Sequence, residues 1–157
     1  MQLTLYSDYS LRVLIYLGLK GTELATITEI ATSYNISRNH LVKVVHNLAN
    51  QGFIATIRGK GGGMRLARAP QEINIGEVVR ITEMNFTVVE CFDPVNCRCP
   101  ITPVCRLKGV LHDALERFLG VLDQYTLEDM IGNGPQLARI LKIPGGPNSA
   151  GGSRVRA

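Results

Sequence analysis

The spacing of apolar residues predicts two helices at the start of the chain. Apolar side chains recur every three or four residues across Leu11–Leu19, with Ser7 as a candidate N-cap and Gly21 as a stop, which is typical of an amphipathic helix. The Thr26–Glu29 segment has the spacing of a capping box, in which two side chains satisfy backbone N–H groups at the helix start. It predicts a short second helix that ends near Tyr34.

A third predicted helix has one apolar and one polar face. Ser37 is its candidate N-cap and Gly52 its end, because serine caps the first turn and glycine adopts the backbone that terminates helices. The apolar face carries Leu41, Val44, Val45 and Leu48. The polar face carries Arg38, Asn39, Lys43, His46 and Asn47. One face therefore suits the core, and the other is available to a partner.

A β-hairpin is predicted directly after the third helix, because Phe53–Arg58 and Met64–Arg68 flank the glycine-rich segment 59–63. Helix, short helix, helix and basic hairpin is the order of a winged helix-turn-helix, whose second motif helix enters the major groove of DNA. A nucleotide-phosphate loop is the alternative for the glycines, but the Gly-Lys-Ser/Thr ending is missing and a strand follows. The expected fold is mainly α with a small β-hairpin wing.

The second half of the chain contains one long predicted helix. A short helix capped by Asn74 precedes the cysteines, and Thr102-Pro103 then predicts the start of a helix that runs to about Tyr125. Its apolar residues have the heptad spacing of a coiled-coil seam: Leu107, Leu111, Ala114, Phe118, Val121 and Tyr125. We interpret this element as a dimerisation helix, with packing inside one monomer as the alternative.

These patterns divide the chain into four parts. Residues 1–84 are the predicted winged helix-turn-helix domain, and residues 85–106 are a cysteine-rich loop. Residues 102–143 hold the dimerisation helix and short C-terminal helices, one of them predicted from Gln136 to Lys142. Residues 144–157 have almost nothing to bury and are predicted to be disordered.

Basic charge is concentrated in the predicted DNA-binding segment. The net charge is +4, but residues 31–71 contain no Asp or Glu and carry +6, which leaves −2 for the remainder. Phosphate contacts release counterions and so provide most non-specific affinity for nucleic acid, which makes a polyanionic partner the favoured interpretation. A solvated basic surface is the alternative.

The composition is that of a globular domain, with 45% apolar and 19% charged residues. The apolar stretch Leu11–Leu19 is interrupted by Arg12, so neither a membrane span nor a secretory signal is predicted. We therefore expect a cytoplasmic protein.

Four cysteines, Cys91, Cys97, Cys99 and Cys105, lie within 15 residues. In the expected compartment such a cluster indicates metal or redox ligands more than a disulfide framework. Structural zinc sites use thiolates two to four residues apart, and here the one close pair has a single residue between its members. The wider spacings favour an iron–sulfur cluster, whose iron prefers thiolates. Redox-switch disulfides are the alternative.

Several segments together resemble the nitric-oxide-sensing repressors of the iron–sulfur winged-helix regulator family, which also includes the cluster-assembly regulator IscR. The resemblance covers about residues 1–142, and the segments that carry it are Met1–Thr4, Ser7–Tyr9, Leu11–Arg12, Ser37–Val44, Arg58–Gly63 and Cys99–Lys108. It implies a homodimeric repressor of a double-stranded DNA operator, with an iron–sulfur cluster that nitric oxide destroys.

The resemblance also implies a ligand set. In the family pattern the last two cysteine ligands stand as Cys99 and Cys105 do here, and the first then corresponds to Cys91. Cys97 departs from the pattern and either replaces Cys99 or stays outside the set. Asp8 corresponds to an aspartate that completes a 4Fe-4S cluster, which we expect rather than a 2Fe-2S cluster.

Two observations bear on the fourth ligand. The histidine that IscR-like proteins place three residues after the last cysteine is Lys108 in this chain, and the nearest histidine is His112. An acidic residue at Asp8 is also favoured by the helix dipole alone, whether or not it binds iron.

The residues expected to contact DNA are Ser37, Arg38, Asn39, His40 and Lys43 in the major groove and Arg58 and Lys60 in the wing. We expect no enzyme, because no group of catalytic residues converges in the sequence; an iron–sulfur electron carrier is the other class considered. A regulator of the same fold that senses oxidants or iron status is the alternative function.

Overall fold

The computed structural model describes residues 2–143, so the predicted disordered tail lies outside the described residues. Its α-helices and strands follow in the order α1 (Leu5–Lys20), α2 (Ile27–Tyr34), α3 (Arg38–Asn50), β1 (Ile54–Ile57), β2 (Gly63–Leu66), α4 (Ile75–Thr82), α5 (Arg106–Leu122), α6 (Leu127–Met130) and α7 (Gly134–Ile140). Single 3₁₀ turns lie at Pro70–Glu72, Glu90–Phe92 and Thr102–Val104. The predicted fold class, mainly helical with one hairpin, is confirmed.

Helix α1 begins earlier than predicted, and Ser7 is not its cap. The backbone of Thr4 is extended, and its hydroxyl accepts a hydrogen bond from the Ser7 N–H at 3.3 Å. Ser7 itself is buried inside the first turn. The Thr4 N–H also donates to Glu83 at 2.8 Å, so the start of α1 is attached to the residue that follows α4.

The start of α2 confirms a prediction, and the start of α3 corrects one. The capping box is present, with the Glu29 N–H donating to Thr26 and the Thr26 N–H donating to Glu29. Asn35 turns the chain in the left-handed conformation with φ of 53°, which asparagine adopts more readily than most residues. Ser37 occupies the N-cap position of α3 without a side-chain capping bond, and α3 ends at Asn50 instead of Gly52.

The main core forms around α1. Val13, Leu14 and Leu17 are completely buried there, and Ile30, Leu41, Leu48 and Phe53 from the next elements pack in the same cluster. Burying one such side chain is worth about 1.5–3 kcal/mol. This cluster holds the two motif helices and the base of the hairpin on one central helix.

The hairpin has the expected antiparallel pairing, from Ile54 opposite Leu66 to Ile57 opposite Gly63. Its tip needs glycine, because Gly59 and Gly61 have φ of 102° and 78°, which side chains rarely tolerate. Gly63 approaches the Ala25 carbonyl closely, and Met64 and Ala25 exchange backbone hydrogen bonds of 2.8 and 2.9 Å. The wing is therefore fixed to the loop between α1 and α2.

Helix α5 is shorter than predicted at both ends. Thr102–Val104 forms a separate 3₁₀ turn, and Cys105 is extended with ψ of 111°, so the helix starts at Arg106. It ends at Leu122 because Tyr125 leaves the helix and its carbonyl accepts from the Ile75 N–H at 3.0 Å. This bond connects the end of α5 to α4.

Further polar contacts join the end of α5 to α4. Asp123 accepts from Arg80 at 2.5 and 2.7 Å, and its backbone carbonyl accepts from the Asn74 side chain at 2.7 Å. The Arg80 hydrogen bond is the main reason that the pKa of Asp123 is lowered. Helix α6, which the sequence did not predict, follows directly, and α7 begins at Gly134, two residues before the predicted Gln136.

The capping box generates a stability prediction. Replacing Thr26 by alanine (Thr26→Ala) leaves the Glu29 N–H without its partner, so we expect the free energy of unfolding to fall by about 1 kcal/mol. Urea denaturation measures this change. Thr28→Ala, on an exposed position of the same helix, is the matched control and should change stability by less than about 0.5 kcal/mol. Equal effects of the two substitutions would contradict the capping role.

Candidate DNA-binding surface and cysteine loop

The polar face predicted for α3 is exposed at four of its five residues, and the fifth, Asn47, is half-buried. The exposed four are Arg38, Asn39, Lys43 and His46. Ser37 and His40 are exposed as well, whereas Leu41, Val44 and Leu48 on the other face are buried. No acidic residue lies in α3. The helix therefore presents a continuous cationic and amide-bearing surface of the kind that reads base edges.

Two tyrosines of α1 contact α3. The Tyr9 ring stacks on His40 with centroids 6.2 Å apart and planes 28° apart. The Tyr6 hydroxyl donates to the Lys43 carbonyl at 3.4 Å. The position of α3 is thus coupled to the first turns of α1, which the sequence alone did not indicate.

Basic residues in and after the hairpin differ in their exposure and contacts. Arg58 and Lys60 are exposed at the tip. Arg68, which contributes to the basic segment of the sequence, is used inside the fold: its guanidinium donates to the Gly52 and Gln51 carbonyls at 3.2 and 3.0 Å. It also lies 4.5 Å from the centre of the Phe53 ring. Of these three residues, only Arg58 and Lys60 are available to phosphates.

The four cysteines have free thiols and are each half-buried. Cys91 belongs to the 3₁₀ turn Glu90–Phe92, and Cys105 occupies the N-cap position of α5. The Cys97 sulfur lies 3.2 Å from the Thr102 hydroxyl, which in turn donates to the Cys99 carbonyl at 2.8 Å. Thr102 therefore links the middle cysteines to the turn that leads into α5.

Asp93 organises the loop between Cys91 and Cys97. Its carboxylate accepts from the backbone N–H groups of Val95 and Asn96 at 2.9 and 3.1 Å and from the Asn96 side chain at 2.7 Å. The hydrogen bond from the Asn96 side chain, followed by the two backbone bonds, lowers the pKa of Asp93. The Asp93 carboxylate therefore holds the turn at Val95 and Asn96.

A cavity of about 470 Å³ opens beside Cys91. Its wall includes the apolar side chains of Phe86, Phe92 and Leu115. Lys108 and His112 also line it. His112 lies seven residues after Cys105 in the sequence, yet the structure brings it to the same cavity as Cys91, with its ring centre 6.2 Å from that of Phe92. No local spacing could indicate this proximity, because Cys91 and His112 lie in separate elements.

Asp8 lies in the first turn of α1, and both its oxygens contact Arg12. The Arg12 Nε donates to one oxygen at 2.9 Å, and Nη2 lies 2.8 Å from the other. Asp8 does not line the cavity beside Cys91. The i,i+4 spacing of this pair is readable in the sequence, but its ion pair was not predicted.

The donor set of the cysteine loop fits an iron–sulfur cluster. Thiolates are the ligands such clusters select, and four free, partly accessible thiols lie in one short loop. Across residues 2–143, no three or more His, Cys, Asp and Glu side chains are grouped so that they would hold a metal ion.

Helix α5 exposes an apolar stripe that differs from the predicted seam. Leu115 and Leu119 pack against Val79, and Phe118 joins the same cluster, so Phe118 is used inside the monomer. The exposed apolar residues of α5 are Leu107, Val110, Ala114 and Val121. Tyr125, beyond the end of the helix, is also exposed. One face of α5 thus belongs to its own domain, and a second apolar face is left at the surface.

No helix within the described part of the chain has the length and apolar character needed to span a bilayer.

Comparison with known proteins identifies a family. Residues 3–133 match the family model for Rrf2, described as an iron-dependent transcriptional regulator. The HTH-type transcriptional regulator NsrR of Halalkalibacterium halodurans is 54% identical over 144 residues, covering 91% of this chain and 99% of that protein. The NsrR of Bacillus subtilis is 53% identical over the same number of residues, with the same coverage.

Solved structures show the same fold. The IscR of T. potens superposes with a TM-score of 0.69 at 22% identity, covering 85% of this chain and 88% of that one. CymR, the global cysteine regulator of B. subtilis, gives a TM-score of 0.65 at 28% identity, covering 85% of this chain and 98% of that one.

The Asp93 turn generates a prediction about loop order. Asp93→Ala removes the acceptor of the Val95 and Asn96 amides, so hydrogen exchange at both should become faster. Because the folded-state pKa of Asp93 is lowered, its stabilising effect is present at neutral pH and is lost as the pH falls through that lowered value. Exchange measured by NMR in Asp93→Ala and in the control Asp113→Ala, on the exposed face of α5, tests this. Unchanged exchange at Val95 and Asn96 would contradict the role of Asp93.

Proposed function

This chain belongs to the Rrf2 family of transcriptional regulators, and on that premise we propose that it is a homodimeric, cytoplasmic repressor that senses nitric oxide through an iron–sulfur cluster. It is a DNA-binding regulator and not an enzyme. The observation that carries the proposal is the combination, in one chain, of an exposed cationic α3 face with a loop of four free thiols.

Operator recognition is assigned to α3 and the wing. Five residues at the start of α3 would face base edges and adjacent phosphates in the major groove: Ser37, Arg38, Asn39, His40 and Lys43. In the wing, Arg58 and Lys60 would contact the neighbouring groove or the DNA backbone. Arginine and asparagine side chains make the bidentate contacts that discriminate bases, each worth about 1–3 kcal/mol. The exposure of all seven residues supports this assignment.

Cys91, Cys99 and Cys105 would hold the cluster, with Asp8 as the fourth ligand of a 4Fe-4S form. When bound, the cluster supplies iron that nitric oxide attacks directly. A carboxylate is a harder ligand than thiolate and is less suited to iron–sulfur coordination, so Asp8 would be the most easily displaced. Cys97 would remain outside the set, hydrogen-bonded to Thr102.

Dimerisation would use the exposed stripe of α5. The exposed apolar residues of α5 follow one another after three, four and seven positions, so they lie on one side of the helix, as in a coiled-coil seam. They are Leu107, Val110, Ala114 and Val121. Their exposure in the single chain supports a second copy as the partner, since contiguous apolar surface of this kind marks association sites.

Contacts of α1 and α5 support a proposed route from the cysteine loop to DNA. The end of α5 is held to α4 through Asp123, while its start carries Cys105. Helix α1 carries Asp8 in its first turn and supports α3 through Tyr6 and Tyr9. Loss of the cluster would release Asp8 and the loop together, so α1 and α3 would shift and the two half-sites would no longer be matched.

The fourth free thiol favours one alternative signal. Cys97 is free and half-buried, two residues before Cys99, so an oxidant could convert thiols of the loop into a disulfide. The same fold would then serve a regulator that senses oxidants or iron status. Nitric oxide and a peroxide, applied separately to the cluster-loaded protein, distinguish the two signals by which one abolishes operator binding.

The ligand assignment is tested by single substitutions of the cysteines. Cys91→Ala, Cys99→Ala and Cys105→Ala should each abolish the visible iron–sulfur absorption, bind the operator weakly and no longer respond to nitric oxide. Cys97→Ala is the matched control and should retain both absorption and response. If Cys97→Ala loses the absorption and Cys99→Ala keeps it, the assignment is displaced by two residues.

The wing assignment is tested by the salt dependence of binding. Lys60→Ala should weaken binding to specific and unrelated DNA alike and reduce the slope of log affinity against log salt by about one phosphate contact. Fluorescence anisotropy over a salt series measures this slope. Arg139→Ala, an exposed cation on α7, should leave it unchanged. An unaltered slope in Lys60→Ala would refute the contact.

A further inference from the structure

Side-chain hydrogen bonds hold together the segment that carries the four cysteines. Between α4 and α5 the chain forms two 3₁₀ turns of three residues each. Glu90 immediately precedes Cys91, and its Oε1 accepts a hydrogen bond from the Arg98 N–H at 2.6 Å. Arg98 stands between Cys97 and Cys99. One bond therefore joins the neighbour of the first cysteine to the stretch that holds the second and third.

This bond reaches further along the chain than the other hydrogen bonds within residues 90–105. A neighbouring backbone bond, from the Cys97 N–H to the Asp93 carbonyl at 3.1 Å, spans four residues, whereas the Glu90 bond spans eight. Closing an open loop costs conformational entropy, and a carboxylate is a stronger acceptor for an N–H than a neutral oxygen is. Glu90 is therefore suited to holding this loop closed.

The main chain around Cys99 is held from two sides. Glu90 accepts from the N–H of the residue that precedes Cys99. The Thr102 hydroxyl donates to the Cys99 carbonyl at 2.8 Å. Both contacts are made to backbone groups, so they fix the main chain and leave the thiol available to a ligand. The main chain that carries the Cys99 thiol is thus placed relative to the one that carries Cys91.

We propose that Glu90 is a positioning residue for the iron–sulfur cluster, and that it acts by holding the main chain of Cys99 close to that of Cys91. The inference rests on the proposed role of these two cysteines as ligands. Glu90 itself needs no contact with iron. A loop that is ordered before the cluster arrives loses less entropy on binding, so the cluster is retained longer.

The first arm of the test measures the hydrogen bond and needs no cluster. Hydrogen exchange at the Arg98 N–H is followed by NMR in reduced, cluster-free protein. Glu90→Ala should make this exchange about three- to tenfold faster, as expected for the loss of one hydrogen bond. Glu90→Gln keeps an acceptor oxygen and should match the unaltered protein. The Val95 and Asn96 amides, which Asp93 holds, should not change in either variant.

The second arm measures cluster retention. Cluster-loaded protein is challenged with an iron chelator under anaerobic conditions, and the loss of visible absorption is timed. Glu90→Ala should lose the cluster about three- to tenfold faster, because the same hydrogen bond is missing. Its visible circular dichroism, which reports the asymmetric surroundings of the iron, should also change. Glu90→Gln should restore both readings. Glu116→Ala, at an exposed carboxylate of α5, is the matched control and should change neither.

Arg98→Ala separates a main-chain contact from an ion pair. This variant removes the guanidinium and keeps the N–H that Glu90 binds, so it should retain the cluster as long as the unaltered protein does. If Arg98→Ala loses the cluster as fast as Glu90→Ala, the two side chains act as an ion pair and the proposal is overturned.

The remaining outcomes separate this inference from the proposed function. If Glu90→Ala leaves exchange at Arg98 or cluster retention unchanged, the positioning role is refuted. If Glu90→Gln loses the cluster as fast as Glu90→Ala, the negative charge is required and not the hydrogen bond, which also overturns the proposal. If the unaltered protein takes up no cluster, the proposed function itself fails and this inference fails with it. Far-ultraviolet circular dichroism verifies that each variant keeps its helices.

Discussion

The packing of α1 supports the candidate DNA-binding surface. Val13, Leu14 and Leu17 on this helix are completely removed from solvent and contact the core that supports α3 and the hairpin. The first turn of the same helix is polar and carries Asp8, with Thr4 bonded to Glu83. One helix therefore carries both a candidate metal ligand and the support of the candidate DNA-binding surface, which is why the proposed mechanism acts through its first turn.

Helix α5 imposes the second constraint, because only one of its two apolar faces is covered within the described part of the chain. Leu115 and Leu119 are buried against α4 within the chain, whereas Leu107, Val110 and Val121 remain exposed. Its far end is fixed to α4 by Arg80, Asn74 and Asp123, and its near end begins at Cys105. Proposed changes in the cysteine loop would therefore act at the end of α5 that these contacts leave free.

The sequence predicts those features that depend on local periodicity. The α3 stripe, the Thr26–Glu29 capping box and the glycine tip of the wing follow from residue spacing, and the structure confirms them. Features that depend on distant contacts were missed. Thr4 replaces Ser7 as the cap of α1, where Glu83 also bonds Thr4, and Arg68 belongs to the scaffold because α4 and the end of α3 supply its partners. The DNA and metal assignments remain predictions, since they concern ligands that the fold alone does not specify.

The most direct test of the central claim is a single anaerobic titration with two simultaneous readings. Cluster-loaded protein bound to a fluorescently labelled operator receives nitric oxide in small steps, while visible absorption and operator anisotropy are recorded in the same sample. We expect both signals to fall together and to reach completion at the same ratio of nitric oxide to cluster. Complete loss of the iron–sulfur absorption with operator binding unchanged would contradict it.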